Sequence, residues 1–214
     1  LQALFARLQA GGRRFVDPNE LVKVLQLDAD VQQDGHEFMK LLLGLLERAL
    51  GASQDGGARA LVPNLFHGLH AYRTQCLSCG RPSDRSRRAV EMAELELNVQ
   101  GFETLEDSLH DWCAKEKLDG DNAFYCENCA SKQPATRGAE LYAAPAALCV
   151  QLKRFVFDLQ TLSRKKVTSA ISFPLELDLA DWITPVPGDM NEGDARRATV
   201  ACEEAKALAA VAIG

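Results

Sequence analysis

Two C-x-x-C pairs constrain the fold of this chain more than any other feature. They are Cys76-Leu-Ser-Cys79 and Cys126-Glu-Asn-Cys129. Each pair forms a tight turn that points two thiolates at one position, and two such turns supply the four sulfurs that zinc prefers in a tetrahedron. Gly80 suits the tight backbone of the first turn. We therefore predict a structural zinc site with Cys76, Cys79, Cys126 and Cys129 as ligands and no open coordination position.

Sequence alone leaves two other interpretations of these cysteines open: free structural thiols, or a redox pair. A thioredoxin-like pair is expected within a βαβ pattern, and neither pair has that context. The segment between the pairs, 80–125, is longer than in a minimal zinc ribbon, so the metal is expected to join distant parts of a larger β-rich element. The odd total of seven cysteines, with four in metal-like pairs, favours a reducing compartment over a disulfide scaffold.

The composition is that of an ordinary globular protein. With 214 residues, 47% of them hydrophobic and 25% charged, the chain is long enough for one domain with a sizeable core. The net charge of −6 argues against general nucleic-acid binding, which relies on basic surface. No apolar run has the length of a membrane span, and no signal peptide pattern is present. Because the chain starts at Leu1 inside an apparent helix, we expect it to be a piece of a longer protein.

Helical periodicity dominates the first part of the chain. A short helix is predicted up to Gly11, and a second after Asp17-Pro18. The strongest signal is a third helix, which Asp30 caps with Gln33 at the capping-box position and which Gly51 ends. Its apolar stripe consists of Phe38, Leu41, Leu42, Leu45, Leu46 and Ala49.

Asp34 has two interpretations. It lies four residues before Phe38, at the edge of the apolar stripe. Its carboxylate either stabilises the positive end of the helix dipole or contacts a partner. The spacing alone favours the dipole.

The remainder of the chain is predicted to be rich in strands. After a mobile, glycine-rich loop at 51–60, strands are predicted at 65–75, 95–99, 148–157 and 171–179, with the start of a last strand at 208–213. Thr104 is predicted to cap a helix between them, with Asp107 at the capping-box position. Residues 81–88 and 185–197 are predicted as charged loops, and 158–166 as a basic turn.

No catalytic set is visible in the residues themselves. A thiol protease needs a cysteine, a histidine base and an orienting residue. The cysteines outside the pairs are Cys113, Cys149 and Cys202, and the histidines are His36, His67, His70 and His110. Cys113 and Cys149 are predicted as buried thiols, Cys202 has no nearby base, and each histidine is interpreted as a surface or packing residue.

Four segments occur in one order along the chain. They are 32–38 (Gln-Gln-Asp-Gly-His-Glu-Phe), the two C-x-x-C pairs, 151–157 (Gln-Leu-Lys-Arg-Phe-Val-Phe) and 171–179 (Ile-Ser-Phe-Pro-Leu-Glu-Leu-Asp-Leu). In this order and spacing they resemble the Q-Q-D-A-x-E-F box, the zinc-bearing fingers, the L-K-R-F strand and the F-P-x-x-L-D-L segment of ubiquitin-specific proteases. Gly35 and His36 replace the usual alanine and glutamine. The resemblance runs from Leu1 to about Trp182 and resumes at Leu208.

The resemblance implies an α+β chain with part of a papain-like cysteine protease fold. It implies a single, partial catalytic domain over 1–214. Within it, thumb helices would occupy 1–60, fingers with the four-cysteine zinc site 61–142, and truncated palm strands 143–214. The family hydrolyses the isopeptide bond after the C-terminal glycine of ubiquitin, so ubiquitin and ubiquitinated proteins are the expected partners, with no nucleic acid and no membrane. The expected location is nuclear or cytosolic.

The resemblance also assigns ubiquitin-binding residues. Asp34, with Glu37 in the same box, matches positions that bind the basic, extended tail of ubiquitin, and this reverses the preference for a purely structural Asp34. Phe155 and Phe157 match strand positions near the tail channel, with a role in the core as the equal alternative.

The family's catalytic boxes have no match in this sequence. The cysteine box, of G-N-T-C-Y type, would lie upstream of the first helix, and the G-H-Y histidine box would lie beyond 208–213. We therefore expect no catalytic residue in this chain and no activity of the chain alone. Three hypotheses follow: the middle part of a deubiquitinase, a non-catalytic ubiquitin-binding zinc module (a pseudoprotease or truncated product), and a zinc module that binds nucleic acid. Arg81, Arg85, Arg87 and Arg88 give the third only a small basic patch.

Overall fold

The computed structural model describes residues 2–12, 14–28 and 34–212, with side chains up to 201 and at 203. The chain forms two compact units, Leu1–Gly44 and Leu45–Gly214. The mixture of helices and a sheet built mainly from antiparallel strands confirms the α+β class. No helix within the described ranges is both long and apolar enough to cross a membrane.

The first unit consists of helices. They are α1 (Gln2–Ala10), α2 (Asn19–Val24) and the start of α3 (Gly35–Gly51). The predicted cap by Asp30 and Gln33 lies outside the described residues. The predicted apolar stripe of α3 is covered only in part, because Leu41 is 59% exposed whereas Leu43, outside the stripe, is buried.

The segment after α3 differs from its prediction. A further helix, α4 (Gly56–Phe66), occupies much of the stretch predicted as a mobile loop and as the start of a strand. Asp55 caps it by accepting a hydrogen bond from the Gly57 N–H at 2.9 Å. Pro63 lies inside this helix, and strand β1 begins only at Gly68. The sequence signal was misleading because proline and glycine usually mark loops rather than helix interiors.

The central sheet has four strands in the order β2-β1-β7-β4. The strands are β1 (Gly68–Cys76), β2 (Val90–Met92), β4 (Glu116–Leu118) and β7 (Ala135–Ala143). All neighbours are antiparallel, and β1 pairs with β7 along almost its whole length, from Leu69 opposite Ala143 to Cys76 opposite Ala135. This long pairing holds the first C-x-x-C pair at one end of the sheet.

A second, two-stranded sheet joins β3 (Glu94–Asn98) to β8 (Cys149–Lys153) in parallel. The predicted alternation in β3 is confirmed, since Leu95 and Leu97 are fully buried. The helix predicted after Thr104 is also confirmed as α5 (Leu105–Cys113): the Thr104 hydroxyl accepts from the Asp107 N–H at 3.1 Å and donates to its carboxylate at 2.7 Å.

Two hydrophobic clusters pack against the central sheet. One combines Leu69, Ala71 and Tyr142 with Met190 and Ala198 from the C-terminal segment. The other cluster consists of Met92, Leu95, Leu97, Leu109, Leu141 and Trp182. Both faces of the central sheet are therefore covered by hydrophobic side chains.

Two hairpins complete the strands. The first joins β5 (Phe124–Cys126) to β6 (Ser131–Gln133) and carries the second C-x-x-C pair. The second joins β9 (Phe155–Asp158) to β10 (Ser163–Lys166). The predicted strand 148–157 is thus divided at Arg154 into β8 and β9, and the predicted basic turn contains a strand of its own.

Two strands predicted near the C-terminus are wrong. Residues 171–179 form no regular strand: Ser172 makes a single bridge to Thr104, and Pro174 has no amide N–H to donate to a ladder. The predicted start of a strand at 208–212 lies in helix α6 (Glu192–Ala212), whose alanines, glutamates and lysine are good helix formers. Residue 213 lies outside the described residues.

The segment before α6 and the first turn of α6 are held by polar contacts to β1 and to residues 87–89. Arg73 in β1 donates two hydrogen bonds to Asp189, at 2.9 and 2.8 Å. The Asn191 N–H donates to the carbonyl of Arg87 at 3.0 Å. Asp194, which is buried, accepts from the Ala89 N–H at 3.1 Å. Of the predicted loop 185–197, residues 185–191 form a strap that leads into α6, whereas the prediction is wrong for 192–197, which form the start of that helix.

Candidate metal centre

The first cysteine knuckle is the turn at the end of β1. Cys76 is the last residue of the strand, and its N–H donates to the carbonyl of Arg81 at 3.0 Å. The Gly80 N–H donates back to the carbonyl of Cys76 at 2.9 Å, and Gly80 has a φ of +71°. Glycine adopts this left-handed conformation without steric cost, so the sequence closes a turn that places Cys79 beside Cys76.

The second knuckle repeats this geometry on the β5–β6 hairpin. Cys126 pairs with Ser131, and the Ala130 N–H donates to the carbonyl of Glu127 at 3.3 Å. Ala130 follows Cys129 as Gly80 follows Cys79, and it has a φ of +53°. A left-handed alanine costs free energy that the surrounding structure must offset. In the sequence, Ala130 can be identified by its position directly after the second C-x-x-C pair.

Two polar contacts hold the knuckles against each other. The Leu77 N–H donates to the carbonyl of Pro134 at 2.8 Å. The Ser78 hydroxyl donates to the Gln133 side chain at 2.5 Å. Gln133 is the last residue of β6 and Pro134 precedes β7, so the β1–β7 pairing and these bonds together set the distance between the knuckles. The sequence analysis did not identify Ser78 or Gln133.

All four predicted ligands meet at one position. The sulfurs of Cys76, Cys79, Cys126 and Cys129 lie within 4.8 Å of one another, and those of Cys79 and Cys126 are 3.6 Å apart. Tetrahedral zinc with bonds of about 2.3 Å requires sulfurs roughly 3.8 Å apart. Cys76 and Cys126 are buried, and the other two are partly exposed. The donor set, its spacing and its burial fit a closed, four-thiolate metal site.

The thiols of this cluster differ in pKa. The Arg81 N–H, and then the neighbouring thiols, lower the pKa of Cys79 to about 6. Hydrogen bonding with Cys79 raises the pKa of Cys129 to about 12. The hydrogen bonds thus favour the thiolate of Cys79 and the protonated thiol of Cys129. A metal that binds here would therefore release protons.

Cys113 and His70, outside the knuckles, have packing roles. Burial raises the pKa of Cys113, which packs against the second cluster. His70 lies between Tyr72 and Trp112, with ring centroids 5.8 and 5.9 Å away, and burial lowers its pKa. Nothing in these contacts makes an activated nucleophile. The side chain of Cys202 lies outside the described residues.

Asp34 and Glu37 lie at the start of α3. One carboxylate oxygen of Asp34 accepts from the His36 N–H at 2.8 Å and the Glu37 N–H at 3.3 Å. Asp34 therefore caps the helix, the structural role that the spacing favoured. Both carboxylates are also exposed to solvent. The cap fixes the Asp34 side chain and leaves its position accessible.

Phe155 and Phe157 lie on β9 and share one face of its hairpin. Their side chains are 68% and 58% exposed, so the alternative of core residues is not what the structure shows. The register places Lys166 opposite Phe155 and Arg164 opposite Phe157. The ammonium of Lys166 lies 5.9 Å from the Phe155 ring centroid.

The comparisons with known proteins agree with this architecture. The sequence model of the family described as "Ubiquitin carboxyl-terminal hydrolase" matches residues 1–202. Ubiquitin carboxyl-terminal hydrolase 48 of Danio rerio is 46% identical over 183 residues, which are 86% of this chain and 17% of that protein. Ubiquitin carboxyl-terminal hydrolase 26 of Oryza sativa subsp. japonica is 45% identical over 84% of this chain and 17% of its own length. This chain thus spans about a sixth of these relatives.

A solved structure has the same fold. It is the SAGA DUB module Ubp8(C146A)/Sgf11/Sus1/Sgf73 bound to monoubiquitin, and it matches with a TM-score of 0.66 and 25% sequence identity. The match covers 76% of this chain and 36% of that one. It confirms the predicted papain-like deubiquitinase fold. With a family match that covers almost the whole sequence, the chain belongs to the ubiquitin carboxyl-terminal hydrolase family.

Proposed function

We propose that this chain is part of a thiol-dependent deubiquitinase that hydrolyses the isopeptide bond after the C-terminal glycine of ubiquitin. The observation that carries the proposal is the family match over residues 1–202. The chain itself supplies ubiquitin binding and structural zinc as one partial catalytic domain, with thumb, fingers and palm at 1–60, 61–142 and 143–214. It does not hydrolyse ubiquitin conjugates alone. The six cysteines whose side chains the structure describes are free thiols, which supports a reducing location, the nucleus or cytosol.

The zinc assignment rests on the donor set. Four thiolates in a tetrahedral spacing favour zinc over hard cations, which prefer oxygen ligands. Cys76, Cys79, Cys126 and Cys129 would hold the metal, and with four protein ligands a tetrahedral ion has no open coordination position. The metal would supply folding free energy rather than chemistry.

Two groups of residues are proposed to contact ubiquitin. Asp34 and Glu37 offer exposed carboxylates at the start of α3, which suit a basic, extended peptide tail. Phe155 and Phe157 offer exposed rings on β9, and large aromatic side chains commonly anchor protein interfaces. The relative bound to monoubiquitin supports ubiquitin as the partner.

Nuclear magnetic resonance with isotope-labelled ubiquitin tests this proposal. Addition of the zinc-loaded chain should shift amide signals of the ubiquitin body and C-terminal tail. Asp34→Arg should weaken binding about tenfold or more, because a charge at an interface then faces a like charge. Glu47→Arg, a charge reversal on the same helix, is the control.

The aromatic positions need their own control. The double variant Phe155→Ser and Phe157→Ser should weaken ubiquitin binding, whereas Phe173→Ser, which removes an equally exposed ring outside the proposed site, should not. A folded, zinc-loaded chain that shifts no ubiquitin signal would refute the assignment of ubiquitin binding to this chain. Turnover of a ubiquitin C-terminal fluorogenic amide should be absent for the chain and present for its full-length parent. A parent that binds ubiquitin without turnover would establish the non-catalytic alternative instead.

A further inference from the structure

The four cysteines of the two knuckles differ in how easily a dissolved oxidant can reach them. Cys76 and Cys126, the first cysteine of each pair, are buried. Cys79 and Cys129, the second cysteine of each pair, are partly exposed. Because the oxidation of thiolates follows their exposure, an oxidant reaches Cys79 and Cys129 first. Each knuckle therefore presents one accessible sulfur and shields the other.

One accessible sulfur lies beside a buried sulfur of the other knuckle. The sulfurs of Cys79 and Cys126 are 3.6 Å apart, although the two residues are 47 positions apart in the chain. Disulfide formation needs a second thiolate within reach of the oxidised sulfur. Cys126 meets this requirement for Cys79, and its burial shields it from direct oxidation. Cys79 is thus placed to react first and Cys126 to resolve the product.

The knuckles are also joined by hydrogen bonds that involve no sulfur. The Leu77 N–H donates to the carbonyl of Pro134 at 2.8 Å, and the Ser78 hydroxyl donates to the Gln133 side chain at 2.5 Å. The pairing of β1 with β7 continues up to Cys76. These contacts would keep the backbones of the two knuckles together while the sulfurs exchange a shared metal for a covalent bond.

We propose, on the basis of the zinc site assigned above, that a hydroperoxide links Cys79 to Cys126 by a disulfide that expels the metal and keeps the knuckles joined. The Cys79 thiolate attacks the peroxide O–O bond; one oxygen becomes part of a sulfenic acid, and the other leaves as hydroxide or alkoxide. The Cys126 thiolate then attacks the Cys79 sulfur, the S–S bond forms, and hydroxide leaves. The two sulfurs together lose the two electrons that the peroxide gains.

The identity of the linked pair decides what oxidation does to the fingers. A bond between Cys79 and Cys126 leaves only Cys76 and Cys129 as thiolate ligands, and a structural zinc ion needs four protein ligands. The metal is then released, but the first knuckle stays tied to the β5–β6 hairpin. A disulfide within either C-x-x-C pair would also release the metal and would leave no covalent link between the knuckles. Reduction by a dithiol would restore all four ligands.

Hydrogen peroxide treatment of the zinc-loaded chain tests the proposal. Atomic absorption before treatment measures the bound zinc, and a chain without zinc would refute the site on which the proposal rests. A chromophoric chelator then follows zinc release, and mass spectrometry of the alkylated, digested chain identifies the disulfides. We expect zinc release in step with a peptide pair linked through Cys79 and Cys126, and recovery of zinc binding after dithiothreitol. Links within the C-x-x-C pairs as the main product, or sulfonic acids without a disulfide, would overturn the proposal.

The control variant keeps all four ligands, because replacing a ligand could unfold the fingers by itself. The triple variant Cys113→Ser, Cys149→Ser and Cys202→Ser removes every thiol outside the knuckles and should release zinc and form the same link as the wild-type chain. Hydrogen exchange then tests whether the link holds the knuckles together. The amides of the β1–β7 ladder should exchange at least about tenfold faster in the reduced, chelated chain than in the oxidised chain. Equal exchange in the two samples, or no zinc release from the triple variant, would overturn the proposal.

Discussion

The ion pair between Arg73 and Asp189 allows a quantitative test of how the strap is attached to the sheet. Arg73 Nη2 donates to both carboxylate oxygens of Asp189, and the two side chains are only 12% and 30% exposed. Asp189→Asn keeps the shape of the side chain and removes its charge. The Arg73 cation would then remain largely out of water, and its Nη1, also buried, already has no hydrogen-bond partner.

The expected loss lies between two limits. Exposed ion pairs contribute about 0–1 kcal/mol, whereas breaking a fully buried pair costs about 3–5 kcal/mol. The intermediate burial of this pair places the loss near 2 kcal/mol in the free energy of unfolding. Urea denaturation of the zinc-loaded chain measures it, with Glu176→Gln on an exposed loop as the charge-matched control. A loss as small as that of the control, within about 0.5 kcal/mol, would refute the reasoning.

The pH dependence of the same difference follows from the pKa of Asp189. The hydrogen bonds from Arg73, and then its charge, lower this pKa from its ordinary value of 3.8. A carboxyl whose folded pKa is depressed stabilises the fold above the unfolded pKa, and that stabilisation is lost as the pH falls through the folded pKa. The difference between the wild-type chain and Asp189→Asn should therefore be complete at pH 6 and shrink below about pH 4. A difference that stays constant across this range would show that the charge is not its cause.

Three further outcomes are expected. Cys76→Ser should abolish stoichiometric zinc by atomic absorption and unfold the fingers, whereas Cys113→Ser should retain the metal; equal zinc in both would contradict the ligand assignment. Thr104→Ala should lower the stability to urea by about 1 kcal/mol through the lost cap of α5, and Thr104→Ser should restore most of it. Leu97→Ala should cost about 2–5 kcal/mol because this side chain is fully buried; a loss below about 1 kcal/mol would mean that the core collapses around it.

Features with a local cause were predicted from the sequence. The knuckles require only a cysteine pair and a following residue in a left-handed conformation, so residue types and spacing sufficed. The cap at Thr104 and the alternation of Leu95 and Leu97 likewise depend on neighbours in sequence. For Asp34 the spacing indicated the helix cap that the structure contains, and its partner contact stays a prediction.

Features set by distant contacts were not predicted. Residues 171–179 alternate like a strand, but a strand exists only where a neighbour accepts its hydrogen bonds, and there only Ser172 pairs. Residues 185–197 were predicted as a loop because Asp189 and Asp194 appear in sequence as ordinary surface acids. Their partners, Arg73 and the amide of Ala89, are more than 100 positions away, and no local pattern indicates them.

A metal bound at the four cysteines, as proposed, would make folding of the strands that carry them depend on metal supply. Cys79 and Cys126 are separated by 47 positions, and the β1–β7 ladder joins residues that are 59 to 74 positions apart. Closing a loop of that length costs on the order of 4 kcal/mol of chain entropy. A bound metal would close this loop, and the β1–β7 ladder could then form in register from Cys76 towards Leu69 without closing a second long loop. Folding of this part of a newly made chain would therefore depend on the free zinc concentration.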